Sequence, residues 1–124
     1  AAVSCPIPLP VTATNIQYAA YGEGQAYAAF VRFEAPVLDC LKHIETIYHR
    51  RRKESPTSTF SLETQPIDAA CLDIRTSGLP PSMNVSWFDL KQIKRGRVTG
   101  ERSSHVPRIW VDEDRGVFYF LEED

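Results

Sequence analysis

The sequence predicts an α+β domain: a mainly antiparallel sheet in the order β-β-α-β-short α-β-β, with one long helix packed on one face. Three observations carry this. Two alternating apolar runs flank Gly22-Glu23-Gly24, an apolar stripe at helical spacing runs from Val37 to Tyr48, and a second pair of apolar runs surrounds Glu113 to Gly116. Hairpins at both ends favour antiparallel pairing, and a single amphipathic helix needs a sheet face to cover.

Residues 1–12 read as an extended arm, because Pro6, Pro8 and Pro10 fix φ and remove three backbone donors. The domain proper is then 13–124. Asn15 to Tyr21 alternates, with Ile16, Tyr18 and Ala20 on one face. Gln25 to Glu34 alternates again, with Tyr27, Ala29, Val31 and Phe33 on one face and Arg32 and Glu34 on the other. The glycine-rich turn between them makes a β-hairpin. Pro36 suits the first position of a helix. The stripe Val37, Cys40, Leu41, Ile44, Ile47 and Tyr48 carries that helix to about Arg52. Asp39 in the first turn and Arg50 to Lys53 in the last complement its dipole.

Residues 53–68 are polar, with an edge strand expected around Thr59 to Leu62. A strand is predicted over Cys71 to Thr76, with Leu72 and Ile74 inward, broken by Ser77-Gly78-Leu79-Pro80-Pro81. Asp89 has N-cap chemistry for a short helix through Arg95, with Gly96 at its left-handed C′ position. Residues 97–106 read as a basic loop. The closing hairpin pairs Pro107 to Asp112 with Val117 to Leu121, and the latter is apolar at every position, which fits burial on both faces or an interior place in the sheet. Trp110 is expected to pack with Phe118 and Phe120 across this hairpin.

The 124 residues allow one domain and one core, and 43% hydrophobic with 24% charged residues is an ordinary globular composition. No apolar run approaches the roughly 20 residues of a membrane-spanning helix. A net charge of −2 excludes a globally basic nucleic-acid binder, and no nucleic acid is expected as a partner.

The chemistry-bearing residues form no recognisable catalytic motif. His43, His49 and His105 have no zinc spacing, and Asp112-Glu113-Asp114 lacks the spaced oxygens of a calcium loop. No nucleophile elbow, phosphate-binding glycine loop or metalloprotease helix is present, so no catalytic residue, metal or cofactor is expected. Candidate binding residues are Lys91, Lys94, Arg95, Arg97 and Arg102 in the basic stretch, with Arg50 and Arg51 at the helix end. Such a cluster suits an acidic partner. In an oxidising compartment Cys40 and Cys71 could form a disulfide worth roughly 3 kcal/mol by chain entropy; the alternative is that Cys40 is a buried thiol. Cys5 has small residues before it and prolines after it, similar to a bacterial lipoprotein junction, with Ala2 where a larger aliphatic residue is usual. It is a candidate lipid attachment site and otherwise a cysteine of the extended arm.

Asn15, Arg32-Phe33-Glu34-Ala35-Pro36, Trp87-Phe88-Asp89, Trp110-Val111-Asp112 and Gly116 to Tyr119 together resemble small exported bacterial domains of unknown function, some of them lipoprotein-like. The resemblance implies export to the periplasm or cell envelope and brings no activity and no site residues. The expected function is a non-enzymatic exported interaction or structural domain, touching an acidic partner through the basic loop. The alternative is a small hydrolase-like or ligand-binding domain whose site is not grouped in sequence.

Overall fold

The computed structural model describes residues 5–23, 26–57, 62–72, 85–99 and 107–123. Six strands form one fully antiparallel sheet: β1 (Thr14–Glu23), β2 (Ala26–Glu34), β3 (Gln65–Pro66), β4 (Gly96–Thr99), β5 (Arg108–Asp112) and β6 (Val117–Glu123). Their spatial order is β1-β2-β6-β5-β4-β3. One long helix, α1 (Val37–Glu54), crosses β5 and β6. The α+β class, both hairpins and the long helix are as the sequence predicts. No helix among the described residues is long and apolar enough to cross a membrane.

The hairpin-closing strand β6 lies between β2 and β5, so its backbone is paired on both edges. Both of its faces are also covered, which is why Val117 to Leu121 is apolar at every position. On the helix side Val31, Phe33, Ile109, Val111, Phe118 and Phe120 pack against Cys40, Ile44 and Ile47 of α1 and against Ile7 of the arm. On the other side Phe30, Val98, Trp110, Tyr119 and Leu121 pack against Phe88, Leu90 and Ile93. Each large side chain so buried contributes roughly 1.5–3 kcal/mol.

The proline-rich arm is part of the helix-side layer. Ile7 is buried, Cys5 and Leu9 lie against the same core, and the Pro8 carbonyl meets His43 Nε2 at 2.7 Å. Thr12 donates to Asp39 at 2.8 Å, fastening the arm to the first turn of α1. Pro36 stands one residue earlier than expected, as the N-cap, and the helix runs on to Glu54.

Between Cys40 and the final hairpin, three expectations are corrected. Cys71 and Leu72 end a 3₁₀ turn, Ala69–Leu72, instead of opening a strand, because the Asp68 side chain and carbonyl both accept the Cys71 N–H; residues 73–76 lie outside the described residues. An edge strand is present at Gln65–Pro66; of the one expected around Thr59 to Leu62, 59–61 lie outside the described residues. The helix after Asp89 is a single turn, Leu90–Gln92. Asp89 caps it as predicted, but Ile93 turns extended and buries its side chain. Gly96 is then the first residue of β4, not a helix cap. A Cβ there would lie 2.1 Å from the Val111 carbonyl oxygen, so close strand approach is what demands glycine.

The basic stretch after Gly96 is accordingly strand through Thr99; residues 100–106 lie outside the described residues. In the final hairpin, Trp110 faces Tyr119 across the ladder and shares its side of the sheet, while Phe118 and Phe120 point to the helix. Here the pairing register decides, because neighbours along a strand face opposite ways. Gly116 has φ +65° in the turn, the left-handed conformation expected of it.

Candidate functional site

Arg32 shares its sheet face with an apolar layer and, on β5, with Arg108 and the buried Asp112. In the ladder it stands opposite Gln17 of β1 and opposite Tyr119 of β6. Directly opposed residues share a face, so Gln17, Arg32 and Tyr119 form a transverse row. Trp110 and Val98 continue that row across β5 and β4 under the apolar layer. The row is therefore polar at the β1 end and apolar at the β4 end.

Residues 85–93 cross above it. Phe88 anchors this segment, edge-on to Phe30 at 5.2 Å, Tyr119 at 5.3 Å and Trp110 at 6.1 Å, with Leu90 and Ile93 buried beside it. The segment stops short of the polar end of the row, leaving a cleft of about 240 Å³ lined by Gln17, Arg32, Tyr119, Ser86, Trp87, Asp89 and Gln92. That is below the roughly 300–1,000 Å³ of drug-sized ligand sites, so the cleft suits one side chain or chain end.

A hydrogen-bond chain sets the walls. Asp89 caps Lys91 N–H at 3.2 Å and accepts from Gln92 Nε2 at 3.2 Å. Gln92 Oε1 accepts from Arg115 Nη1, and Arg115 Nη2 donates to the Tyr119 hydroxyl at 3.3 Å. Arg115 also pairs with buried Asp112 at 3.2 Å. On the floor, Arg32 Nη1 reaches Glu34 at 3.1 Å and the Asn15 carbonyl at 3.4 Å, while Asn15 Nδ2 donates to Glu34 at 3.0 Å. Asn15 takes φ +48° where a bulge interrupts the β1–β2 register, which turns its carbonyl toward Arg32.

Among the described residues, Arg32 makes these bonds through Nη1 alone, and its side chain is only 15% exposed. The Tyr119 hydroxyl accepts from Arg115, and among the described residues nothing takes its proton. Asp89, the cleft's carboxylate, already accepts two bonds. An arriving acceptor, a carboxylate above all, would find a guanidinium edge and a phenol O–H in the cleft.

The residues singled out in the sequence are not brought together. Arg50 pairs with Glu54 at 3.1 Å and Arg51 with Glu122 at 2.5 Å, at the far end of β6 from the β5–β6 turn. Arg95 pairs with Asp114 at 3.0 Å beside that turn, and Arg97 is tied to Thr64 through Oγ1 at 2.6 Å and the carbonyl at 2.9 Å. Lys91 and Lys94 are exposed, and Arg102 lies outside the described residues. Of the basic stretch, Arg95 is thus ion-paired and Arg97 hydrogen-bonded within the chain, while Lys91 and Lys94 stand exposed. The cleft residues were missed because they come from four separate stretches; the one available signal was Arg32, a charge on the inward side of an apolar strand.

Nor do the thiols meet. Cys40 belongs to the helix-side core and Cys71 packs against the opposite one, with the sheet between them, and all three cysteines are free. An S–S bond needs Cα atoms within about 7 Å, which a sheet with a packed layer on each face does not allow. Cys40 is fully buried, and burial reinforced by neighbouring Asp39 pushes its thiol up to about 11. Burial raises Cys5 as well, and a lipid on its sulfur would have to leave the contact with the helix-side core. His43 spends Nε2 on the Pro8 carbonyl, while the Cys40 thiol points at the Ala35 carbonyl, 3.6 Å away. His105 lies outside the described residues. Among the described residues no three metal-ligating side chains converge.

In comparisons with known proteins, no family model, no curated protein and no solved structure matches the chain.

Proposed function

We propose that this domain is a non-catalytic interaction module that receives a carboxylate of an acidic partner polypeptide, a side chain or a chain terminus, in the cleft beneath Trp87. The observation that carries this is Arg32: a cation recessed in the sheet face, next to an unspent Tyr119 hydroxyl and the Gln17 amide. The expectation of an acidic partner is kept, and its docking point moves from the basic stretch to the cleft. Arg32 is itself paired with Glu34, as Arg50 is with Glu54 and Arg95 with Asp114, but it is recessed where those two are more than half exposed, so a newcomer's charge is less screened at Arg32. Trp87, beside Phe88 at 6.1 Å, gives the ligand's backbone or stem a flat apolar wall.

The test is a backbone and side-chain amide titration by NMR with N-acetylglutamate, and with a short peptide carrying either a free or an amidated C-terminus. The expected result is saturable shifts at Gln17, Arg32, Gln92 and Tyr119, with Arg32→Gln weakening binding at least about tenfold. Thermal unfolding of the same variant checks that it folds. No response at about 10 mM probe, or a response confined to Lys91 and Lys94, would reject the cleft.

A further inference from the structure

The two edges of the sheet are built differently. The β3 edge is two residues long and contains Pro66, which cannot donate to a ladder. The β1 edge is ten residues long, Thr14–Glu23, and has no Lys, Arg or Pro in it. Those are the usual means of blocking an edge, along with a bulge or a covering element. The bulge is present only at the N-terminal end, between Thr14 and Gln17, after which the ladder with β2 is regular from Gln17 to Glu23. Among the described residues, α1 and the arm cover Val31 and Phe33 of β2 and leave the outer half of the β1–β2 hairpin open on the helix side. Tyr18 and Tyr27 are 37% and 38% exposed on that open half-face.

We propose that β1 pairs with β1 of a second copy of this chain, antiparallel about a twofold axis at Ala20, extending the six-stranded sheet to roughly twelve strands. The regular run Gln17–Glu23 is centred on Ala20, and in the register this symmetry imposes the side chains fit themselves. Tyr18 stands across from Gly22 of the second copy on the helix side, and Tyr21 stands across from Ala19 on the cleft side. Each aromatic thus covers a residue with little or no side chain, twice over by symmetry, and aromatic cover of an edge glycine is a recognised stabilising pair. Ala20 meets Ala20, so no bulk collides on the axis. Residues 17–22 carry no charge and Glu23 stands across from Gln17 of the second copy, so no like charges are opposed along the shared edge. A strange strand would need this same spacing of small and aromatic residues; a second copy has it by identity.

A seven-residue pairing buries less than the roughly 800 Å² per partner of stable interfaces, so the dimer is weak and populated at tens to hundreds of micromolar. Sedimentation velocity across about 10 μM to 1 mM should show a reversible monomer–dimer equilibrium. Ala20→Lys places like charges across the axis on an exposed position and should raise the dissociation constant at least about tenfold with unchanged thermal unfolding. Ala20→Cys, in a chain with Cys5 and Cys71 changed to serine, should form an intermolecular disulfide on mild oxidation, since opposed residues bring Cα atoms to about 4.5–5.5 Å. Leu38→Cys on the helix surface, in the same background, should not. A monomer at every concentration overturns the proposal, even if the edge captures another protein's strand. A dimer indifferent to Ala20→Lys, with no cross-link through Ala20→Cys, overturns it equally.

Discussion

His43 shows how far one residue's role depends on its surroundings. It is buried on α1, edge-on to Phe33 and Phe118 at 5.6 and 5.4 Å, and it holds the Pro8 carbonyl. Burial disfavours the imidazolium and lowers its pKa from the usual 6.5, a fall the Pro8 bond only partly opposes. The unfolded chain therefore binds a proton at a pH where the folded chain does not. Stability is full above about 6.5 and drains as the pH falls toward the lower folded value. Urea denaturation should give a lower midpoint at about pH 5 than at about pH 7.5, and His43→Gln should remove part of that drop. An unchanged pH response in the variant would assign the loss to other groups. In the sequence His43 was only a residue beside the core stripe; its proximity to the stripe was legible, its bond to the arm was not. Arg32 was likewise legible as a side chain pointing away from Val31 and Phe33, but not as one under a crossing segment.

Among the elements, the crossing segment 85–93 makes the cleft, and its hold on the sheet is concentrated in Phe88. This ring is 5% exposed and meets three aromatic rings of β2, β5 and β6. Phe88→Ala should cost about 3–5 kcal/mol in chemical denaturation and should abolish the carboxylate response even where the protein is still folded. A loss below about 1 kcal/mol would mean that Leu90 and Ile93 carry the segment without it. Asp89 was recognisable in advance as a cap because capping is local, and it does cap Lys91 N–H. The length of what it caps was not, since burial of Ile93 in the far-side layer draws the chain extended after a single turn. The same competition between a local side-chain bond and a longer-range pairing replaced the expected strand at Cys71 with a turn under Asp68.

At the scale of the whole molecule, the sheet is insulated in its middle and open at its margins. Strands β2, β5 and β6 are buried on both faces, whereas most of β1 is exposed. Amide hydrogen exchange should be slowest in Phe30 to Phe33, Ile109 to Val111 and Phe118 to Leu121, and faster by several orders of magnitude in β3. At concentrations where the chain dimerises, β1 should gain protection while β3 does not; equal protection of both edges would contradict the two-sided burial. The sequence by itself determined the α+β class, both hairpins, the span of α1 and the alternation that sets Val31 and Phe33 apart from Arg32. Those are set by periodicity, proline and glycine, which act within a few neighbouring residues. The tertiary structure alone decided that β2 and β5 are the strands flanking β6, and the docking of the proline-rich arm. It alone also separated Cys40 from Cys71 and joined Gln17, Arg32, Trp87, Asp89 and Tyr119 into one cleft. Those depend on strand order and register, which are fixed by burying two apolar layers at once and leave no mark in any single stretch of sequence.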